Sequence, residues 1–271
     1  MKVLFTKMHG LGNDYIYIDR IRNKYLNLTN DILPRISRYL SNRHFGIGAD
    51  GIILIESSKI ADFKMRIFNS DGSEAQMCGN GIRCLAKYVY ESKLTTKEVF
   101  SIETLAGIKE VKVLKNKEGI VEEVEVNMGK AKVEKDLRLN VSNTIITLTK
   151  VDIGNPHAVI FTRNLDNLDI EKYGPIIENN NNFPNRTNVE FVEILDRNLI
   201  KLRVWERGSK ETYACGTGAC AAVATCVYKN LCDKNVKVLL KGGELNISYK
   251  KDDIYMRGIA TNVFSGIIDI E

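Results

Sequence analysis

The tetrapeptide Cys78-Gly79-Asn80-Gly81 recurs with one change as Cys215-Gly216-Thr217-Gly218, and this pair of motifs decides the fold. A shift of 137 residues, the separation of the two cysteines, superposes the motifs. The same shift also matches 65–69 with 202–206 and Glu74 with Glu211, and at a slightly different offset Gly12-Asn13 matches Gly154-Asn155. One repeat of this length predicts two domains of similar fold rather than a repeat array.

Short apolar or alternating runs bounded by turn residues predict β-strands along most of the chain. They lie at 15–18, 52–55, 110–114, 124–126, 158–161, 190–194 and 236–240. Helical spacing with few breakers predicts helices at 30–42, 81–91 and 217–229. Few helices among many strands predict an α+β class. The turn-rich, charged segment 115–124 is where we expect the chain to pass from one half to the other.

The composition is that of an ordinary globular protein. The chain has 271 residues, 44% of them hydrophobic and 27% charged, and its net charge is +5 without long runs of one sign. These values exclude a disordered or fibrous chain and give no basic footprint typical of nucleic-acid binding. No apolar run reaches the roughly 18 residues of a membrane-spanning helix, and the first residues do not resemble a signal peptide. We therefore expect a cytoplasmic protein with neither nucleic acid nor membrane as partner.

Six cysteines in such a chain are expected to be reduced thiols. Cys84, Cys220, Cys226 and Cys232 lie on or after the apolar helices and are predicted to be packing residues. The separations of Cys78 from Cys84 and of Cys215 from Cys220 are not those of zinc knuckles, so we expect no metal site.

Each Cys-Gly-X-Gly motif places a thiol at the predicted start of a helix. Unpaired N–H groups and the positive end of the helix dipole can stabilise a thiolate or a bound carboxylate there. A single cysteine in this place is more often a small buried capping residue, but the duplication favours a pair of catalytic groups. One thiolate and one thiol can remove a proton from one face of a carbon and return a proton to the other, which inverts a stereocentre.

Taken together, the motifs of the chain resemble those of the diaminopimelate epimerase family along nearly the whole length. The order and spacing of eight stretches make the resemblance specific: Lys7-Met8-His9-Gly10-Leu11-Gly12-Asn13-Asp14, Arg43-His44-Phe45-Gly46-Ile47-Gly48-Ala49-Asp50, Ile67-Phe68-Asn69-Ser70-Asp71-Gly72-Ser73-Glu74, Met77-Cys78-Gly79-Asn80-Gly81, Gly154-Asn155-Pro156-His157, Asn185-Arg186-Thr187-Asn188-Val189, Trp205-Glu206-Arg207-Gly208 and Ala214-Cys215-Gly216-Thr217-Gly218-Ala219-Cys220.

The resemblance implies an α+β fold of two pseudo-symmetric domains, each a mostly antiparallel sheet wrapped around a central helix. With the returning last strand, the expected domains are 1–120 plus 262–271, which holds Cys78, and 121–261, which holds Cys215. The active site would lie in the cleft between them.

The resemblance also implies the roles of individual residues. Cys78 and Cys215 would be the acid and base, and Gly79, Asn80, Gly216 and Thr217 would offer N–H groups to the carboxylate at the reacting carbon. The other substrate-binding positions would be Asn13, Asn69, Asn155, Asn188, Glu206 and Arg207. Arg207 suits the distal carboxylate, Glu206 suits an ammonium group, and His157 would support a thiol by hydrogen bonding. Some members of the family have glutamine where this chain has Gly51, so any side-chain contact from that position is lost here.

These expectations describe a cofactor-independent epimerase that interconverts LL- and meso-diaminopimelate, a small-molecule substrate, for lysine and peptidoglycan precursors. For the LL-to-meso direction, our hypothesis makes Cys215 the base. The resemblance allows a homodimer. Three alternatives stay open: a proline racemase or another isomerase of the same superfamily, a non-catalytic binding protein, and a thiol redox sensor. Asn80, where racemase-type motifs have histidine, and Arg207 favour diaminopimelate over proline.

Overall fold

The computed structural model describes residues 2–23, 28–142 and 144–270. Strands predominate, and the described residues form 18 strands and four helices. The chain divides into two compact units, the first made of Met1–Val126 with Gly258–Glu271 and the second of Asn127–Arg257. This strand-rich architecture with few helices confirms the predicted α+β class.

The first unit is a sheet with two helices. Its helices are α1 (Leu33–Ser41) and α2 (Gly79–Glu91), and its strands are β1 (Lys2–Gly10), β2 (Asn13–Asp19), β3 (Gly51–Glu56), β4 (Phe63–Asn69), β5 (Glu74–Ala75), β6 (Val99–Thr104), β7 (Gly107–Lys115), β8 (Val121–Gly129) and β18 (Thr261–Asp269). The main strands follow the order β18, β1, β2, β3, β4, β6, β7, β8. Only the pairs β2–β3 and β4–β6 are parallel in this series.

The second unit repeats this arrangement. Its helices are α3 (Ile170–Glu178) and α4 (Gly216–Tyr228), and its strands are β9 (Lys132–Val141), β10 (Thr144–Asp152), β11 (Pro156–Phe161), β12 (Asn188–Asp196), β13 (Leu199–Glu206), β14 (Lys210–Thr212), β15 (Asn235–Leu240), β16 (Gly243–Lys250) and β17 (Asp253–Ile259). The order is β9, β10, β11, β12, β13, β15, β16, β17, with β11–β12 and β13–β15 parallel. The two units therefore share one strand order and one pattern of parallel pairs.

Helix α4 is central to the second unit. Ten of its residues are buried, from Gly216 to Cys226, and they lie on every side of the helix. An all-round apolar helix is stable only when other elements surround it. Strands on several sides contact α4, including β10, β11, β12 and β16. In the first unit α2 has the matching place, with contacts to β1, β2 and β7.

The other two helices pack against the opposite faces of the sheets. Helix α1 contributes Leu33, Ile36 and Leu40 to a core that includes alternate residues of β3 and β2. Helix α3 packs in the same way on β12, where Val189 and Phe191 face its core. Since side chains alternate along a strand, the residue between them, Glu190, lies on the other face, the one that α4 covers.

Within the segment 115–124, residues 116–120 form a tight turn between two strands. Asn116 Oδ1 accepts hydrogen bonds from the N–H groups of Glu118 and Ile120, and this turn joins β7 to β8 as a hairpin. The change from the first unit to the second falls within β8, between Val126 and Asn127. The turn signals therefore mark a hairpin, and an unbroken strand passes from one unit to the other.

Candidate active site

Cys78 is the N-cap residue of α2. Its backbone is extended, and its Sγ accepts a hydrogen bond from the N–H of Gly81 at 3.3 Å. The thiol donates to Asn13 Oδ1, 3.3 Å away. Tyr17 reaches the same turn from β2, since its hydroxyl donates to the carbonyl oxygen of Gly81 at 3.0 Å. The thiol thus lies at the positive end of a helix that the sheet holds in place.

Asn13 is oriented by Asp50. Its amide nitrogen donates to Asp50 Oδ2 at 2.8 Å, which turns its carbonyl oxygen toward Cys78 and Asn80. Burial and the neighbouring charge of Asp14 raise the pKa of Asp50 above its usual value. Arg43 bonds both carboxylates, with distances of 2.8 Å to Asp14 and 3.0 Å to Asp50.

Arg83 organises the first turn of α2 from within the protein. The side chain is fully buried and donates to Asn80 Oδ1 at 2.8 Å and to the carbonyl oxygens of Gly79 and Ile259 at 3.2 Å each. We call Asn13, Asp50, Cys78, Asn80 and Arg83 the first thiol cluster. Among the residues predicted from sequence, it brings together Asn13, Cys78 and Asn80, and Gly79 contacts it through the carbonyl oxygen that accepts from Arg83.

Cys215 has the same place at α4. It is the N-cap residue, its Sγ accepts from the N–H of Gly218 at 3.4 Å, and it lies 3.5 Å from Thr217 Oγ1. The residue is 5% exposed. Burial, together with the charges of Glu206 and Glu190, raises the pKa of the Cys215 thiol well above its usual value.

Glu206 ends β13 beside this thiol. Its Oε1 accepts from the hydroxyl of Thr212 at 2.5 Å, and the Cys215 thiol is a second hydrogen-bond partner. Burial raises the pKa of the Glu206 carboxyl, although both of these hydrogen bonds act in the opposite direction. A carboxylate here can accept the proton of Cys215 or bind an ammonium group.

A chain of hydrogen bonds continues from Thr217 into the sheet. Asn155 Nδ2 donates to Thr217 Oγ1 at 3.3 Å, and Asn155 Oδ1 lies 3.0 Å from His157 Nε2. The other ring nitrogen of His157 lies 2.7 Å from Glu190 Oε1, and both side chains are fully buried. We call Asn155, His157, Glu190, Glu206, Cys215 and Thr217 the second thiol cluster.

Three of the residues whose side chains were predicted to bind substrate lie outside these clusters. Asn188 holds the backbone after β13, since its Oδ1 accepts from the N–H of Arg207 at 2.9 Å. The guanidinium of Arg207 is at the surface and donates to the carbonyl oxygen of Asn185. Asn69 ends β4, and its amide donates to Ser73 Oγ at 3.1 Å. Arg207 is therefore available to a charged group from solution.

Sequence reasoning missed Asp50, Arg83 and Glu190. Asp50 belongs to a motif that carried the family resemblance, so its place in that motif was an available signal. Arg83 follows the first Cys-Gly-X-Gly motif within the helix, where a charged residue normally faces solvent. Glu190 lies within an apolar run, and a charged residue there is usual in a strand of alternating pattern. The one available signal of a special role was that the 137-residue shift aligns this glutamate with an apolar residue, Ile53.

Gly51 has no room for any side chain. A Cβ built there would lie 2.3 Å from the carbonyl oxygen of Phe68 and 3.0 Å from the Cα of Asn69. Both atoms are backbone atoms of β4 and are fixed by the pairing of β3 with β4. A glutamine at this position would need a different path of the strand.

The described residues contain neither a candidate membrane-spanning helix nor a candidate metal-binding group. No helix in that part of the chain is long and apolar enough to cross a membrane. No group of three or more His, Cys, Asp and Glu side chains within 2–23, 28–142 and 144–270 is arranged to hold a metal ion.

Comparison with known sequences gives full-length matches. The family model described as diaminopimelate epimerase matches residues 5–134 and 149–263. A protein from Methanococcus maripaludis named diaminopimelate epimerase is 50% identical over 281 residues, which cover 98% of this chain and 99% of that protein. A protein of the same name from Agathobacter rectalis is 49% identical over 288 residues, with the same coverage of both chains.

Comparison with solved structures gives matches in fold. A phenazine biosynthesis protein of the PhzF family from Bacillus anthracis superposes with a TM-score of 0.78 over 100% of both chains, at 18% identity. A hydroxyproline epimerase from Agrobacterium vitis, solved with bound trans-4-hydroxy-L-proline, has a TM-score of 0.73 at 15% identity and covers 98% of this chain and 91% of its own. At these identities the likeness concerns the fold alone.

We expect Gly51→Ala to destabilise the protein by about 1–3 kcal/mol, because the added methyl group must displace backbone of β4. The measurement is the free energy of unfolding in urea. Gly266→Ala is the matched control in a strand of the same unit, since its Cβ would meet only the edge of the Phe5 ring at 3.0 Å. Equal effects of the two substitutions would contradict this account of Gly51.

Proposed function

Since the chain belongs to the diaminopimelate epimerase family, we propose that it interconverts LL- and meso-diaminopimelate with Cys78 and Cys215 as its acid–base pair. Family membership confirms the predicted class of enzyme, an isomerase of the racemase and epimerase type. The finer statements below, on residues, assembly and location, are proposals.

One observation carries the assignment of the two thiols. Cys78 and Cys215 are N-cap residues of the equivalent helices α2 and α4, and each accepts the N–H of the glycine three residues later. Inversion at the α-carbon requires one group that removes the proton and a second group that delivers a proton to the opposite face. We propose that the thiolate of one cysteine and the thiol of the other do this at a single α-carbon, with their roles exchanged in the reverse direction.

The charge that develops during the reaction needs stabilisation. Loss of the α-proton places negative charge on the carbon and its carboxylate, and preorganised N–H groups are effective acceptors of such charge. The first N–H groups of a helix have no partner within that helix. We propose that those of Gly79, Asn80, Gly216 and Thr217 bind the carboxylate at the reacting carbon, so this chemistry requires no cofactor.

The remaining polar residues are suited to the rest of the substrate. Arg207 presents a guanidinium at the surface, which can bind the distal carboxylate with two parallel hydrogen bonds. Glu206 can bind an ammonium group, and Asn13, Asn69, Asn155 and Asn188 offer amide groups. His157 supports this arrangement by holding the amide of Asn155. The product would serve as a precursor of lysine and of peptidoglycan.

The cellular setting follows from the same properties. We propose a cytoplasmic location, which is supported by the cysteines: all six lie in the described part of the chain, and they are thiols rather than halves of disulfides. We propose no nucleic-acid or membrane partner, because the net charge is only +5 and is spread along the chain.

We also propose that the protein is a homodimer formed through exposed apolar residues of β1 and β18. Leu4 and Ile267 lie opposite each other on these paired strands and are 52% and 63% exposed. Val263 and Phe264 nearby are 51% and 46% exposed. Large exposed apolar side chains grouped on two paired strands are typical of an interface, and a two-fold axis would bring the group against its own copy.

Replacement of either thiol should stop epimerisation. In Cys78→Ser and Cys215→Ser we expect the rate to fall by about 10²–10⁴, because one acid–base group is lost in each. The measurement is the conversion of LL- to meso-diaminopimelate by chelator-treated protein in deuterium oxide, with the label at the α-carbon followed by mass spectrometry. Cys232→Ser is the matched control, since this thiol lies outside both clusters, and it should keep the activity. Full activity of either cluster variant, or turnover of proline instead of diaminopimelate, would contradict the proposal.

The proposed dimer is tested by sedimentation equilibrium. The protein should sediment with the mass of two chains, and Ile267→Asp should sediment as a 30.6 kDa monomer, because a buried charge would oppose the contact. Ile145→Asp is the control, since Ile145 is 73% exposed on β10 of the other unit. A monomeric unsubstituted protein would overturn the proposal, as would an equal effect of the two substitutions.

A further inference from the structure

The sheet residue that lies beneath the first turn of α2 differs in chemistry from the one beneath the first turn of α4. The 137-residue shift that superposes Cys78 on Cys215 also places Ile53 on Glu190. The strand pairing agrees, since Ile53 lies opposite Ile67 and Glu190 lies opposite Val204, and the same shift relates Ile67 to Val204. One position of the repeated fold thus holds an apolar residue in the first unit and a carboxylate in the second.

Both side chains touch the first turn of their helix. A Cβ built on Gly81 would lie 2.6 Å from Ile53 Cδ1, and a Cβ built on Gly218 would lie 2.8 Å from Glu190 Oε1. Gly218 is also the residue whose N–H donates to Cys215 Sγ. The carboxylate of Glu190 is therefore packed against the turn that stabilises negative charge on this sulfur.

The fold does not need a carboxylate at this position, since the first unit is built with isoleucine. Glu190 is 0% exposed, and within the described residues its Oε2 has no hydrogen-bond partner. A buried carboxylate oxygen without a partner costs stability. Its Oε1 is held by His157 at 2.7 Å. A costly group held so firmly in one place suggests a function other than stability.

Titratable groups face Cys215 from three strands: Glu190 from β12, Glu206 from β13, and His157 from β11 through its bond to Glu190. The carboxylates dominate, since burial first and then Glu206 and Glu190 raise the pKa of the thiol. In the first unit the 137-residue shift places the neutral residues Ile53 and Asn69 at these two positions. Negative charge beside the start of a helix offsets the positive end of its dipole.

We propose that Glu190 is a positioning residue whose carboxylate, set against the first turn of α4, keeps the proton on Cys215 while no substrate is bound. The inference rests on the proposed function, since this proton matters only if Cys215 exchanges it with a substrate. The free enzyme then presents Cys215 as a proton donor. The hypothesis drawn from the sequence makes Cys215 the base for the LL isomer. It would require that isomer to react with the less populated form of the enzyme, in which Cys215 is a thiolate.

Thiol reactivity tests the proposal without a substrate. In full-length Cys78→Ser protein, alkylation of Cys215 by iodoacetamide is followed between about pH 7 and 11.5, a range that extends above the usual pKa of a thiol, with the labelled peptide identified by mass spectrometry. Since only the thiolate reacts, the rate below the midpoint follows the thiolate fraction. We expect the added substitution Glu190→Gln to lower the midpoint by about one pH unit, which makes alkylation at pH 8 about tenfold faster.

Two further variants separate charge from structure. Glu193→Gln removes a carboxylate three residues along the same strand and should leave the alkylation rate of Cys215 unchanged. Glu190→Asp keeps the charge while changing the packing, and it should retain the pH profile of the parent protein. An unchanged midpoint in Glu190→Gln would overturn the proposal, as would an equal shift in Glu193→Gln or Glu190→Asp.

Epimerisation of diaminopimelate is measured in parallel with Cys78 intact, in the unsubstituted protein and in Glu190→Gln. If the unsubstituted protein fails to epimerise diaminopimelate, the proposed function is wrong whatever the alkylation rates are. If it epimerises and the alkylation midpoint does not move, the function stands and the role of Glu190 is wrong.

Discussion

A hydrogen bond from a backbone N–H to a cysteine sulfur, at the start of a buried helix, is the contact on which the rest of the structure depends. Gly81 makes it with Cys78, and Gly218 makes it with Cys215. A Cβ at either position would lie within 3 Å of a side chain on the strand beneath, Ile53 or Glu190, so glycine allows that strand to pack closely against the helix start. The sheet therefore fixes the helix start, and the helix start fixes the sulfur, so the chemistry of the thiol is set by packing as much as by its own sequence motif.

Around this common contact the two thiol clusters differ in polarity. Cys78 meets the amide oxygen of Asn13, whose orientation is set by Asp50. Cys215 lies instead between a hydroxyl group and two carboxylates, one of them tied to a histidine. A hydrogen-bond acceptor or a nearby negative charge favours a protonated sulfur, whereas a donor favours the thiolate. Two helices with nearly the same first four residues thus provide two different environments for proton transfer.

The sequence predicted the parts of the fold that depend on local pattern. The helices expected at 81–91 and 217–229 are α2 and α4 to within one or two residues, because spacing and the glycine motif both mark them. Helix α3 was not predicted, since Gly174 and Pro175 interrupt its pattern and packing against Trp205 compensates for them. Within the clusters, the residues of recognisable motifs were assigned to the site in advance, with the exception of Asp50. Arg83 and Glu190 were not, because a charged residue within a helix or strand normally faces solvent, and their burial follows from how the fold packs α2 and β12.

The strand order repeated in both units has a consequence for the origin of the chain. Eight strands with the same succession of parallel and antiparallel pairs are what duplication and fusion of a half-length gene would leave behind. Such an ancestor would have held one thiol helix per copy, and two identical copies would have supplied two identical thiols. Once both copies belonged to one polypeptide, each could mutate alone. One half could then have isoleucine at the position where the other half has glutamate. Fusion thereby allowed an enzyme of two unequal halves to evolve from a symmetric pair.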